Sequence, residues 1–357
     1  MGCSTLHDGT MGAQAHTRRE SGAGGMDARE CRRISLIPCA VTGWHGRCFV
    51  IATMILSLPQ RPAPDERGLH LRLAEFQAER LRLLGSRLSP DEQRLRTALE
   101  HDFLERCREH ARLPDGIDMG MEALGGWMQG LDASAGQSGV ELLTWITEAA
   151  AAEAIAWYVR QDLLSEADLQ DLLAQVMVAL DDRARTAIAS IIWDECGHGE
   201  AAGNTAINLA RLRRKVDSGR EGLGGAELAR ANLMRGLAGN RPYILQALGA
   251  IDATFAQLPR RAAAAVAGLT RIGTPLADLA GLRRRVIAAD RCLLAWRHEV
   301  IVPLASESTV AAGAIAEGMA MRAAADARCL EFCTGHLLTG KDVEKAEAAE
   351  SQVEMAS

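Results

Sequence analysis

The chain is poor in aromatic residues, at 4%, and has no clear stretch in which Val, Ile, Thr and Tyr alternate with polar residues. Strands usually show both features, so their scarcity argues against a sheet and for an all-α fold. The nine cysteines include no Cys-x-x-Cys pair. An odd number of scattered thiols does not read as a disulfide framework, so reduced cysteines and a cytoplasmic location are expected. Positive charge is not in excess: 40 Lys and Arg stand against 46 Asp and Glu, a net charge of −6. Phosphate binding leaves a basic footprint, so no nucleic acid is expected as the main partner. The basic runs Arg211–Lys215 and Arg283–Arg285 read as solvated helix faces or helix ends. No segment supplies the ~20 apolar residues needed to cross a bilayer. The nearest, Ile34–Leu58, is broken by "GWHGR" at 43–47, so no membrane partner is expected.

What is present is 48% hydrophobic residue, with Ala and Leu prominent, enough for a large helical core. Residues 1–58 read as a disordered N-terminal extension with an over-extended start, Met54 being the better beginning. Residues 59–337 read as one helical-bundle domain, and 338–357 as an Ala/Glu-rich tail. "SPDE" at 89–92 predicts a helix start: Ser89 as N-cap, Pro90 in the first turn, then two acids. The Gly-rich segment 115–139 reads as loops around one short helix. Long helices are expected from Val140, from Ser165, from Asp182 to about Arg214, and over about 226–237, 242–257, 259–271, 277–302 and 307–337. Gly222, Gly224 and Gly225 follow no strand, so they do not form a dinucleotide-binding turn.

Acids on apolar faces carry the chemistry. In "IASIIWDECGHGEAAGNTAINL" at 188–209, an unbroken helix turning about 100° per residue sets Glu195 beside Ile188, Ile191 and Ala202. A buried carboxylate must be neutral, ion-paired or bound to a metal. His198 lies three residues on, and Glu-x-x-His lets two side chains reach one cation, as in carboxylate-bridged di-iron bundles. Asp290, with Val286 before it and Leu293 after it, and Asp162 in "WYVRQDLL" also fall on apolar stripes. Asp162, Glu195, His198 and Asp290 are therefore the candidate metal ligands. The competing reading pairs the acids with arginines, for which Arg160, Arg183 and Arg291 are at hand. His298 is ~12 Å along its helix from Asp290, too far to share an ion with it. Cys329, Cys333 and His336 share a helical face but lack the fourth ligand that zinc would want.

"WDECGHG" at 193–199, "RPYILQALGAIDATFAQLPRRAAAAVAGLTRIG" at 241–273 and "AADRCLLAWRHEVIVPLASES" at 288–308 are similar to segments of the heme-oxygenase-like di-iron oxidases, the iron-containing redox enzymes. The resemblance covers about residues 140–325. It implies a heme-oxygenase-like multi-helix bundle and an iron centre that activates O2 to oxidise a small amine- or acid-bearing molecule. Carried over residue by residue, the family's first glutamate falls on Asp162, its signature glutamate on Glu195 and its later aspartate on Asp290. The three histidine positions fall on Thr205, Val286 and Leu293. An all-carboxylate set suits Mn or Mg better than iron. Two functions follow from this reading. One is an O2-dependent oxidase of an unidentified small molecule, with di-iron, mononuclear iron or Mn. The other is a metal-deficient, non-catalytic bundle that binds a small molecule or a partner protein. Whether the bundle forms a homodimer stays open.

Overall fold

Ser89 accepts a hydrogen bond from the Glu92 amide, and the Glu92 side chain reaches back to the Ser89 amide. This reciprocal cap opens a 21-residue helix and fulfils the "SPDE" expectation. The structure, a computed structural model, describes residues 66–80, 88–111, 113, 120–137, 139–163, 166, 168–216 and 224–339. The expected extension at 1–58 and all but the first two residues of the expected tail lie outside the described residues.

Every regular element among the described residues is helical: the fold is all-α. The helices are α1 (Glu66–Arg80), α2 (Pro90–His110), α3 (Met121–Gln137), α4 (Val140–Glu148) and α5 (Ala152–Tyr158). They continue as α6 (Leu169–Met177), α7 (Asp182–Glu195), α8 (Thr205–Val216), α9 (Gly225–Gly239) and α10 (Ile244–Arg271). The last are α11 (Ala280–Trp296), α12 (Val302–Glu307) and α13 (Thr309–Thr334). Wider π turns extend α5 through Val159–Leu163 and α11 through Arg297–Ile301. No helix among the described residues is long and apolar enough to cross a membrane.

Four sequence expectations change, the first because the long helix expected from Val140 is two, α4 and α5, parted at residues 149–151. The Gly-rich segment 115–139 contains a 17-residue helix, α3, because Leu124 and Met128 are buried one turn apart. Tertiary burial outweighs the cost of its glycines. The two helices expected over 242–257 and 259–271 are one, α10, with Pro259 inside it. The helix expected from Asp182 to Arg214 is two. At its break Gly197, His198 and Gly199 have φ of 70°, 58° and 85°. A Cβ on Gly197 would lie 2.2 Å from the Gly203 carbonyl carbon, so the chain folds back on itself there.

α10 and α13 form the most extensive helix pair, and α11, α4 and α9 pack around them. At their crossing the two backbones meet. A Cβ on Gly249 would sit 1.9 Å from the Ile315 carbonyl oxygen, and one on Gly318 would sit 1.9 Å from that of Gln246. The apolar core forms two clusters. Along α13 the first cluster ends at Met321 and the second begins at Leu330, with Arg322 and Asp326 in the interval. Along α11, Leu282 belongs to one and Ala288 to the other, with buried Arg285 between. A polar layer thus lies at the junction of the two clusters.

Gly318→Ala is expected to lower the unfolding free energy by about 3 kcal/mol, the upper end of ordinary overpacking. Gly126→Ala, where an added Cβ meets nothing within 4 Å, is expected to raise it by up to ~1 kcal/mol through helix propensity. Urea unfolding of the two variants checks both signs.

Candidate functional site

The π turn after α5 adds a residue to the helical turn and buries all of Val159–Leu163. Within it Asp162 is fully buried. Its Oδ1 accepts from Arg230 Nη1 at 2.8 Å and from Arg261 Nη1 at 2.6 Å. Its Oδ2 accepts from the Tyr158 hydroxyl at 3.0 Å, and its carbonyl oxygen accepts from Arg230 Nη2 at 2.5 Å. Burial and the Asp162 charge push the Tyr158 phenol well up, so it stays a donor. Arg230 comes from α9 and Arg261 from α10, so three helices meet at this carboxylate.

Two further carboxylates complete the cluster. Glu166 Oε1 pairs with Arg322, lies 3.2 Å from Arg261 Nη2 and 3.4 Å from Arg230 Nε. Asp326 Oδ1 lies 3.0 Å from Arg230 Nη1 and 3.4 Å from Arg261 Nη2, while its Oδ2 accepts from Arg322 Nε at 2.8 Å. Burial alone would raise Asp162 and Glu166, but the guanidiniums outweigh it. Those of Arg261 and Arg230 hold Asp162 below its usual range. Those of Arg322, Arg230 and Arg261 hold Glu166 well below. The carboxylates in turn keep Arg230 fully charged despite its burial.

A second, looser centre adjoins the first. Arg285 donates from Nη2 to the Glu166 carbonyl oxygen at 3.0 Å, and its Nε lies 3.7 Å from Glu195 Oε2. That Glu195 oxygen, the Arg285 Nε and Nη1 atoms and the Thr205 hydroxyl are buried without a hydrogen-bond partner. The Glu195 carbonyl accepts from Gln170 at 2.9 Å, which ties the end of α7 to α6.

The structure keeps two of the four predicted residues inside and leaves two outside. Asp162 and Glu195 are buried. His198 is exposed in the turn that ends α7, its Nε2 3.4 Å from Asp194 Oδ1. The helical-wheel position assigned to it fails because the helix has already stopped. Asp290 is exposed, and the inward face of α11 carries Arg285, Ala288 and Cys292 instead. Among the described residues, no group of three or more His, Cys, Asp or Glu is placed to hold a metal ion. The arginines named for pairing also sit elsewhere. Arg183 binds Glu299 and Arg291 binds Asp194, each at 2.6 Å at the surface, while Arg160 is buried.

With this geometry in hand, residues 156–327 match a family model described as iron-containing redox enzyme. The match covers just under half of the chain and marks that region as similar to the family. No curated protein matches the chain. The match contains every residue of the buried cluster, and the family description implies iron. The residues present do not fit such a centre. The lone pairs of Asp162 are directed at two guanidiniums and a phenol, and three fixed positive charges already neutralise the three clustered carboxylates.

The sequence expectations rest on acids on apolar faces, which leaves out the buried Arg230, Arg261, Arg285 and Arg322, and they also omit two buried acids, Glu166 and Asp326. Arg285 has Leu282, Ala288 and Cys292 at −3, +3 and +7, as apolar a stripe as any acid has here.

Cutting one partner from the cluster strands the others. Arg230→Met is expected to cost about 3–5 kcal/mol of stability, measured by chemical denaturation. Glu227, fully buried and 3.8 Å from the Cys333 thiol, is pushed by burial up to about 7. A carboxyl raised on folding favours the native state while protonated, and that contribution is lost as pH rises from its unfolded value through about 7. Glu227→Gln is therefore expected to stabilise the protein at pH 8 by about 3 kcal/mol and to change little at pH 4. Denaturation at the two pH values reads this directly.

Proposed function

We propose that this chain is a metal-deficient member of the iron-containing redox enzyme family whose bundle binds a small molecule. The observation that supports this most strongly is the arginine pairing of Asp162, the residue on which the resemblance places the family's first carboxylate. A guanidinium supplies the positive charge a buried carboxylate needs, and it does so with a tethered side chain in place of an ion.

A groove of about 440 Å³ between α7 and the α11 end of the bundle offers a ligand face. Its floor is Ala187, Ile191, Cys292 and Ala295, and the Arg183–Glu299 and Arg291–Asp194 pairs line it as well. Sites of this size with an apolar floor and a few charged groups are typical of small-molecule binding. Glu195 acts on the Cys292 thiol at the groove floor, which burial together with the Glu195 and Asp194 charges pushes up to about 11. The groove includes Asp194, the residue before Glu195 in sequence.

A second reading, O2-dependent oxidation of a small molecule at iron, is supported by the family match and by the Glu195 oxygen that has no hydrogen-bond partner. Iron analysis of protein prepared without oxygen from iron-supplied cells separates the two. Substoichiometric iron is expected, and one or two tightly held irons per chain would sink the metal-deficient reading. Glu195→Gln gives an independent measure. The metal-deficient reading expects unchanged or higher stability, whereas iron bound at Glu195 would be weakened by the change.

A further inference from the structure

Arg230 and Arg261 are held differently from ordinary core arginines. Arg230 Nη1 touches Asp162 Oδ1 and Asp326 Oδ1 at 2.8 and 3.0 Å, so one nitrogen bridges carboxylates from two different helices. Arg261 reaches the same two oxygens at 2.6 and 3.4 Å and adds Glu166 Oε1 at 3.2 Å. Three carboxylate oxygens from separate stretches of chain thus converge on one pair of guanidinium groups.

We infer that the guanidiniums of Arg230 and Arg261 do the electrostatic work of a divalent cation, bridging Asp162, Glu166 and Asp326 and holding the α5 turn, α9, α10 and α13 together. The inference rests on the metal-deficient reading and goes one step further, since it makes charge replacement the reason for the arginines. The balance of charge agrees. Three carboxylates face Arg230, Arg261 and Arg322; removal of the first two leaves an excess of two negative charges, which one divalent ion supplies. The donors left are all carboxylate oxygens, a set that suits a hard cation such as Mn(II).

The test uses the full chain with Mn(II) alone as the probe. The melting temperature of the wild type is expected to be the same in millimolar Mn(II) and in EDTA. Arg230→Ala/Arg261→Ala is expected to melt well below the wild type in EDTA and to recover by 5 °C or more in Mn(II), a shift of about 3 kcal/mol or more in a chain of this size. Adding Asp162→Asn and Asp326→Asn to the double variant should abolish the Mn(II) response. A double variant that folds yet does not respond to Mn(II) overturns the inference. If the double variant does not fold in EDTA, folding on addition of Mn(II) supports it. If it folds in neither, Arg261→Ala alone is read by the same shift, and absence of any Mn(II) response there overturns it. Tight iron in the wild type would defeat the metal-deficient reading independently, so the two failures are distinguishable.

Discussion

Charge neutrality inside the bundle is the constraint on which the rest of this structure depends. Asp162, Glu166, Asp326 and Glu195 are buried, and Arg230, Arg261, Arg322 and Arg285 are buried with them. Taking so many charges out of water is costly, and the cost is recovered only where each has a partner at close range. Helix placement follows from that requirement. The junction of the two apolar clusters falls where α11 and α13 carry their charged residues, and where the chain passes from α7 to α8. Glu227 shows the consequence of lacking such a partner. Arg230, three residues on, is committed to Asp162 and Asp326, and Glu227 is raised toward neutrality.

Local geometry serves the same layer. The π turn at Val159–Leu163 lets one stretch bury Asp162 and, three residues beyond the turn, Glu166. The left-handed residues at 197–199 end α7 at Glu195, so the glutamate sits in the last turn of a helix with its carbonyl available to Gln170. Glycines at 249 and 318 bring the α10 and α13 backbones together, and these helices supply Arg261, Arg322 and Asp326. Each irregularity would look like a local defect on its own. Together they aim long polar side chains at one place.

The helical character was legible because it rests on long-range composition and on caps. Ser89 and Glu92 announce a helix start, and the lack of alternating β-formers removes the alternative. The continuity of helices was less legible. Pro259 suggests a break, yet α10 runs through it on the burial of Phe255, Leu258 and Ala262. Gly197 and Gly199 were visible as weak points, but the sequence does not tell a weakened helix from a reversed chain. That choice decided the site: with the helix unbroken His198 joins Glu195, and with it broken His198 faces solvent. Asp162 and Glu195 were legible as buried acids. The identity of their partners was not, because Arg230 and Arg261 lie 68 and 99 residues from Asp162 in sequence.

The family match and the interior chemistry describe different properties of the chain, and both hold. The match spans the helices that build the bundle, whose shape is set by apolar faces and by tight glycine crossings. Those features do not depend on which charges fill the buried polar layer. A metal ion supplies positive charge that can be lost to a chelator or changed by oxidation, whereas a guanidinium is covalently tethered and stays protonated. The field around such a layer differs too. A vacant set of carboxylates attracts cations, while a set already neutralised by arginine does not. The buried centre of this bundle is therefore closed by tethered charge, with the carboxylates of Asp162, Glu166 and Asp326 already engaged by guanidiniums.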